Sequence, residues 1–181
     1  WKYIGATMAP DDRVVFAPHN CDGVGVFALA TSVFTYVDIS STVSGTNGDT
    51  KFAGAATAGN GLSVMAPSGA SCVGVFNASS NVFTCVDISA TIEGSMIYKF
   101  AGAAAASNGL VIFAPHKASV VGVFNASSNE LQTVDISATL GYEWLFSGAT
   151  RANNGQIVFA PWDAQGVGMF SATLSVVGAA L

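Results

Sequence analysis

One phrase recurs four times along this chain. Each copy opens with Phe-Ala-Pro, or Met-Ala-Pro in the second copy, and continues into a Val-Gly-(Val or Met)-Phe run. The triplets start at Phe16, Met65, Phe113 and Phe159, so successive copies lie 49, 48 and 46 residues apart. A nearly constant period of this size indicates a chain that repeats one supersecondary unit.

The third copy, residues 99–144, shows the unit most clearly. Four runs of strand-forming composition alternate with short polar turns. The runs cover residues 99–103, 110–113, 120–124 and 131–136. The first turn contains Asn108-Gly109, and Asn-Gly favours a type I′ hairpin because both central residues take positive φ. Each unit is therefore predicted to be an antiparallel meander of four strands.

A meander of this length in tandem is typical of a β-propeller blade. We predict an all-β single domain over residues 1–181, a small propeller of four blades with four antiparallel strands each. The blades are expected at about residues 2–50, 51–98, 99–144 and 145–181. An arc of a larger ring, completed by another chain, is the alternative. The last copy lacks the Val-Asp-Ile-Ser phrase of the others, which leaves residues 174–181 for its fourth strand.

The units resemble Kelch and WD40 blades in layout, although they lack the paired-glycine and Trp-Asp signatures of those families. They are more similar to a tandem propeller repeat of dinoflagellate algae, roughly KFxGAAxAxNGxVxFAPxxAxxVGVFxxxxxxFxxVDIS. That wording can be read at residues 51–89 and 99–137. The resemblance implies a propeller with a structural or interaction role, and it supplies no catalytic residue.

The charge of the chain argues against several classes of partner. Charged residues make up 9% of the sequence, against about a quarter in an average soluble domain. Its 6 basic residues are scattered, whereas a nucleic-acid face needs them clustered. The uncharged run over residues 52–86 is interrupted by Gly, Asn and Pro, so it is not expected to span a membrane. Peripheral association with a membrane complex and the compartment of the protein stay open.

The position after each Phe-Ala-Pro triplet holds His19, Ser68, His116 and Trp162 in turn. The two histidines could form a pH-sensitive or ligand-contacting pair across the ring. The simpler interpretation, which we favour, is an exposed loop position that tolerates many residues. A metal site is not expected because two histidines lack a third ligand, and no cofactor is expected.

The recurring aspartates and the three cysteines give two further predictions. Asp38, Asp87 and Asp135 occupy the Val-Asp-Ile-Ser phrase, where a carboxylate is expected to accept backbone hydrogen bonds that anchor the blade connection. A ring of these carboxylates around a cation is the alternative. The three cysteines fall at three different repeat positions, so they are interpreted as small buried apolar residues, with one disulfide left open.

The repeat also predicts the core. The aromatic or Met position of the triplet and the Phe that ends each Val-Gly run should be buried between blades. These residues are Phe16, Met65, Phe113, Phe159, Phe27, Phe76, Phe124 and Phe170.

No Ser-His-acid arrangement follows from the spacing, and the chain is predicted to be non-catalytic. The leading hypothesis is a protein-interaction or scaffold module, and this hypothesis includes the role of a peripheral subunit in a larger assembly. The alternative is a lectin-like propeller that binds carbohydrate or another small ligand, one site per blade. The face with the post-triplet loops and blade connections is the expected partner surface, through residues that depart from the repeat: His19, His116, Tyr142, Trp144 and Trp162.

Overall fold

The computed structural model describes residues 1–43, 50–93, 96–138 and 144–172. In these ranges the chain forms strands and no helix. The strands are β1 (Tyr3–Met8), β2 (Arg13–Pro18), β3 (Gly23–Ala28), β4 (Val33–Asp38), β5 (Phe52–Thr57), β6 (Ser63–Pro67), β7 (Cys72–Asn77), β8 (Val82–Asp87), β9 (Phe100–Ala105), β10 (Leu110–Pro115), β11 (Val120–Asn125), β12 (Glu130–Asp135), β13 (Phe146–Arg151), β14 (Ile157–Pro161) and β15 (Gly168–Phe170).

The strands form four antiparallel sheets in which sequence neighbours are hydrogen-bonded neighbours. We call these sheets blade 1 (β1–β4), blade 2 (β5–β8), blade 3 (β9–β12) and blade 4 (β13–β15). The predicted all-β propeller of four blades is confirmed. Blade 4 has three described strands. Its predicted fourth strand, at residues 174–181, lies outside the described residues.

The innermost strands meet at a line of glycines with positive φ. A Cβ atom on Gly54 would lie 2.6 Å from the Cα of Gly102, and one on Gly102 would lie 2.6 Å from the Cα of Gly148. Only glycine permits both the backbone conformation and so close an approach. As a result β1 packs on β5, β5 on β9 and β9 on β13. Among the described residues no comparable contact joins β13 to β1.

Each interior interface joins an aliphatic face to an aromatic face. The strands alternate, so one side of a blade carries Val, Ala and Ile while the other carries Phe. Between blades 2 and 3, Val64 and Val73 pack against Phe100 and Phe113 in one buried cluster. The same pairing recurs between blades 1 and 2 and between blades 3 and 4. The core therefore lies between blades.

The burial prediction is confirmed for five of its eight residues and is wrong for three. Those buried as expected are Met65, Phe76, Phe113, Phe124 and Phe159. Phe16, Phe27 and Phe170 are only half-buried. Phe16 and Phe27 lie on the aromatic face of blade 1, which no described strand of another blade covers. Phe170 lies on β15, the outermost described strand of blade 4.

The recurring aspartates anchor the turns after the fourth strands, as predicted. The backbone N–H of Ser40 donates to Asp38 Oδ1 at 2.8 Å, and Ser137 donates to Asp135 in the same way. These backbone bonds lower the pKa of both carboxyl groups. Asp87 makes the equivalent bond to Ser89.

The interpretation of the cysteines needs correction. Cys72 and Cys85 form a disulfide, whereas Cys21 is a free thiol. The bond joins adjacent strands β7 and β8 within blade 2, where antiparallel pairing sets Gly74 opposite Cys85 and brings the two cysteine Cα atoms to 5.4 Å. Comparing equivalent positions in different copies did not predict this disulfide, because the bond depends on the strand pairing within one copy.

Candidate partner-binding site

The loops after β2, β6, β10 and β14 share one face of the propeller with the connections between blades. The hairpin turns between the first and second strands of each blade lie on the opposite face. The sequence-predicted site residues belong to the first of these faces, and the structure gives them two different roles.

Both histidines link one blade to the next. His19 Nδ1 lies 2.9 Å from the carbonyl oxygen of Phe52, and His116 Nδ1 lies 2.7 Å from that of Phe146. Because a carbonyl oxygen only accepts, each Nδ1 carries a proton and donates it. Each bond crosses an interface, from blade 1 to blade 2 and from blade 3 to blade 4. The histidines therefore fix the positions of neighbouring blades.

The histidines are buried, with exposed fractions of 9% for His19 and 8% for His116. The expectation of an exposed and tolerant loop position is wrong for them. Burial lowers the pKa of both rings, and the hydrogen bond to the next blade opposes that change in part. Both rings are therefore neutral at pH 7.

A group of ring and cationic side chains surrounds His116 at the junction of blades 3 and 4. The His116 ring centre lies 4.8 Å from that of Trp144 and 5.8 Å from that of Trp162, edge-on in both cases. Tyr98 packs on Trp144 at 5.4 Å. Lys117 Nζ lies 4.0 Å from the Trp144 ring centre, within cation–π range. We call these five residues the aromatic cluster.

Backbone hydrogen bonds hold the segments that carry the cluster. The N–H of Lys117 donates to the carbonyl of Tyr98 at 3.0 Å, and the N–H of Asp163 donates to that of Trp144 at 2.9 Å. Each bond ties a loop after a second strand to the residue two positions ahead of the first strand of the same blade. The cluster is therefore built on main-chain pairings that recur through the fold, which limits its freedom to rearrange.

The cluster leaves one large apolar surface open. Trp162 is 62% exposed, while Trp144, Tyr98 and Lys117 are half-buried. Indole rings present large contact area with few rotatable bonds, so little conformational entropy is lost when a partner covers them. An arrangement of this kind can seat an apolar or aromatic group of a partner.

The structure brings together three of the five predicted site residues: His116, Trp144 and Trp162. His19 lies two blades away from the cluster and makes its own interblade bond. Tyr142 lies outside the described residues. A role in partner binding stays a prediction for all five.

The five predicted site residues did not include Tyr98 or Lys117. Tyr98 lies two residues ahead of β9, and Trp144 lies two residues ahead of β13, so the repeat alignment contained a signal for Tyr98. Lys117 follows His116, but no pattern in the sequence predicts that its ammonium group lies over the Trp144 ring.

Other kinds of site find little support in the part of the chain that the structure describes. It holds no group of three or more His, Cys, Asp or Glu side chains suited to a metal. A shallow open depression of about 380 Å³ lies on the opposite face, between the first hairpin turns of blades 3 and 4. Its lining is polar and includes Ser107, Arg151 and Asn154. No described helix has the length and apolar character needed to cross a bilayer.

Comparison with known proteins shows the fold and nothing finer. No protein-family model matches the chain, and no curated protein is similar to it in sequence. Among solved structures, a streptogramin B lyase matches 94% of this chain with a TM-score of 0.75 and 14% identity. Virginiamycin B lyase from Staphylococcus aureus with quinupristin gives a TM-score of 0.76 at 15% identity over 94% of the chain.

An auxiliary nutrient binding protein from Bacteroides ovatus matches 96% of the chain with a TM-score of 0.62 and 11% identity. This chain spans 51% and 53% of the two lyase structures and 39% of the nutrient binding protein. Identities this low do not allow the activities of those proteins to be assigned to this chain. What they support here is a β-propeller fold.

Proposed function

We propose that this chain is a non-catalytic interaction module that binds a protein partner at the aromatic cluster. The observation that carries the proposal is the 62% exposed Trp162 held against His116 at the junction of two blades. Exposed tryptophan that is supported by ordered neighbours is typical of the anchors that dominate binding energy in protein interfaces.

The chemistry of the cluster favours an apolar anchor from the partner. Covering Trp162 and Trp144 removes apolar surface from water at about 25 cal/mol per Å². Lys117 already lies over Trp144, so the cation is placed at the rim of the apolar seat, where an acidic group of the partner would meet it. A protein segment with a large apolar side chain beside an acidic residue matches this surface.

The role of a peripheral subunit in a larger assembly is part of the same proposal, and so is membership of the dinoflagellate-type repeat family. Their support is the repeat wording in the sequence and the small number of charges on the chain. The proposal that the chain has no enzymatic activity rests on the histidines, because each donates its Nδ1 proton to a backbone carbonyl between blades.

The lectin-like alternative has one observation in its favour, since an exposed indole such as Trp162 is a stacking platform. It requires an equivalent site on each blade. Trp162 corresponds to His19, Ser68 and His116 in the other blades, and all three of these are buried. The platform is therefore confined to blade 4 among the described residues, which favours a single anchor point for a partner.

The decisive variant combines Trp144→Ala with Trp162→Ala. It removes both indole rings from a surface that contributes little to the core, so the fold should persist while partner recovery in a pull-down falls at least tenfold. Val82→Ala is the control, because Val82 is 55% exposed on the fourth strand of blade 2, away from the cluster. Thermal unfolding of all three proteins checks that the propeller is intact.

A photo-crosslinker tests the location independently. Placed at Trp162 it should capture the partner, and placed at Asn154 on the opposite face it should not. Recovery of every partner at wild-type yield by the double variant would refute the proposal, as would capture from Asn154 alone. Retention of the chain on immobilised sugars that depends on Trp162, with no protein captured, would establish the lectin-like alternative instead.

A further inference from the structure

The two ends of the row of blades each expose a face that is buried at every interior interface. On blade 4 this is the aliphatic face. Val167 is 60% exposed and Met169 is 46% exposed. The residues at the same repeat positions in blade 2 are Val73 and Val75, and both are buried against blade 3.

On blade 1 the uncovered face is the aromatic one. Phe34 is 51% exposed, and among the described residues its ring contacts are with Tyr3 and Phe16 of its own blade, at centroid distances of 6.1 Å. In blade 2 the positions of Tyr3 and Phe16 are taken by Phe52 and Met65, which are fully buried against blade 1. Blade 1 thus presents the surface that blades 2, 3 and 4 each press onto the preceding blade.

The backbone bonds between blades form a series with one open acceptor and one open donor. The N–H of Lys51 donates to the carbonyl of His19 at 2.7 Å, and Lys99 donates to Ser68 at 3.0 Å. The N–H of Leu145 donates to His116 at 2.7 Å. The next bond of the series would join the N–H of Lys2 on blade 1 to the carbonyl of Trp162 on blade 4.

The lysine side chains follow the same series. Lys51 Nζ reaches back to Asp22 of blade 1 at 2.8 Å, and Lys99 Nζ donates to the carbonyls of Ser68 and Ala70 of blade 2. Lys2 holds the same position in blade 1 and is exposed. The acceptors that correspond to Ser68 and Ala70 on blade 4 are the carbonyls of Trp162 and Ala164.

The axial glycines show the same gap. A Cβ on Gly148 would find its nearest neighbour, the Cβ of Ala160, at 3.9 Å. The other three axial glycines each abut the glycine of the next blade. Gly148 therefore keeps the positive φ and the missing side chain that close approach requires, with no described blade beside it.

We propose that the aliphatic face of blade 4 binds the aromatic face of blade 1 in a second copy of this chain, so that the second copy is the protein partner that reaches Trp162. The two faces are complementary because they repeat the two halves of the interior interface, including its donors and acceptors. A head-to-tail pair of this kind either closes into a ring or grows without limit. Two copies satisfy all four end faces at once and give a ring of eight blades, within the range of propellers of about 4–8 blades.

Mass measurement by light scattering during size-exclusion chromatography tests the proposal. The unmodified chain should have twice the 18.3 kDa mass of one copy at micromolar concentration. Val167→Asp and Phe34→Asp each place a charge on one end face at a position that is exposed in the single chain, so folding should be retained while the mass falls twofold. Val82→Asp is the control, because Val82 is 55% exposed but lies at neither end, and it should leave the mass unchanged.

Mixing the two single-face variants distinguishes head-to-tail docking from other arrangements. The Val167→Asp chain keeps an intact blade 1 face, and the Phe34→Asp chain keeps an intact blade 4 face. Together they should regain the twofold mass through one intact interface, with each chain present once. Circular dichroism of each variant confirms that strand content is unchanged.

Two results would overturn the proposal, and a third would retain the docking of the two faces but refute the closed ring of eight blades. A monomer mass for the unmodified chain at micromolar concentration would show that a second copy does not cover these faces, and would point to blades of another polypeptide. A dimer that survives both substitutions, or that is not restored when the two variants are mixed, would place the contact elsewhere. Long filaments in place of dimers would show head-to-tail docking without closure.

Discussion

The same repeated sequence lies in two different environments. In blades 2 and 3 its faces are covered by neighbouring blades, whereas the outer faces of blades 1 and 4 are uncovered. Phe113 in the interior is fully buried, whereas Phe16 at the same repeat position is half-buried. Val73 is buried, whereas Val167 is mostly exposed. The difference arises from the presence or absence of a neighbouring blade, since the residues and their strands are equivalent.

The comparison shows that a repeat unit of this kind does not contain a complete core. Each blade supplies half of two interfaces, so its stability depends on its neighbours, as in other chains built from stacked units. Substitutions at equivalent positions should therefore have unequal costs. The tests below are best carried out in the Val167→Asp background, which keeps the end faces uncovered.

The largest expected contrast is between Phe113→Ala and Phe16→Ala. Phe113 packs on Phe100 and Phe124 in the interior, and its truncation leaves a cavity that should cost about 3–5 kcal/mol. Phe16 already contacts solvent, so its truncation should cost about 1–2 kcal/mol. Urea unfolding midpoints measure both. Equal costs at the two positions would mean that blade 1 is covered in the single chain after all.

The second contrast separates steric contact from backbone strain at the axis. Gly102 and Gly148 have nearly the same φ, 125° and 124°, so alanine suffers similar strain at either position. A Cβ at Gly102 would lie 2.6 Å from a backbone atom of the next blade, while the nearest neighbour of one at Gly148 is the Cβ of Ala160 at 3.9 Å. Gly102→Ala should therefore be more destabilising than Gly148→Ala by about 1–3 kcal/mol.

The measurement is again the unfolding midpoint, with circular dichroism to confirm that both variants retain their strands. If Gly148→Ala proved as costly as Gly102→Ala, strain alone would account for both, and the close approach of the blades would have no separate energetic role.

The smallest contrast concerns Lys99 and Lys2, and it depends on pH. Burial lowers the pKa of Lys99 to about 8 from its usual 10.5. The carbonyls of Ser68, Ala70 and Met96 accept hydrogen bonds from its ammonium group. Between pH 8 and pH 10.5 the unfolded chain binds more protons than the folded chain, so the free energy of unfolding should rise with pH. We expect a rise on the order of 1 kcal/mol, because the carbonyls offset part of the burial cost.

Lys99→Met should abolish this rise, whereas Lys2→Met should retain it because Lys2 is exposed at the uncovered end. Chemical unfolding at a series of pH values between 8 and 10.5 provides the measurement. A flat profile in the unmodified chain would show that the carbonyl acceptors hold Lys99 fully charged.

Much of the fold could be predicted from local sequence. The Asn-Gly turns, the β-branched runs and the fixed period are signals within one repeat, and they sufficed for the strand type, the meander and the blades. The anchoring role of Asp38 and Asp135 followed as well, since both bonds reach only two residues along the chain. The site was predictable in part, because Trp144 and Trp162 interrupt the repeat and such departures are visible in the sequence itself.

What the sequence determined by itself is therefore the unit: its strands, its turns and its two unlike faces. Tertiary structure decided the rest. It buried His19 and His116 in bonds to the next blade, set Lys117 over Trp144, paired Cys72 with Cys85 and left Phe16 and Val167 uncovered. The physical reason is that these outcomes depend on which strand or blade lies beside a residue. The repeated sequence is similar whether or not a neighbouring blade is present, so it does not contain that information.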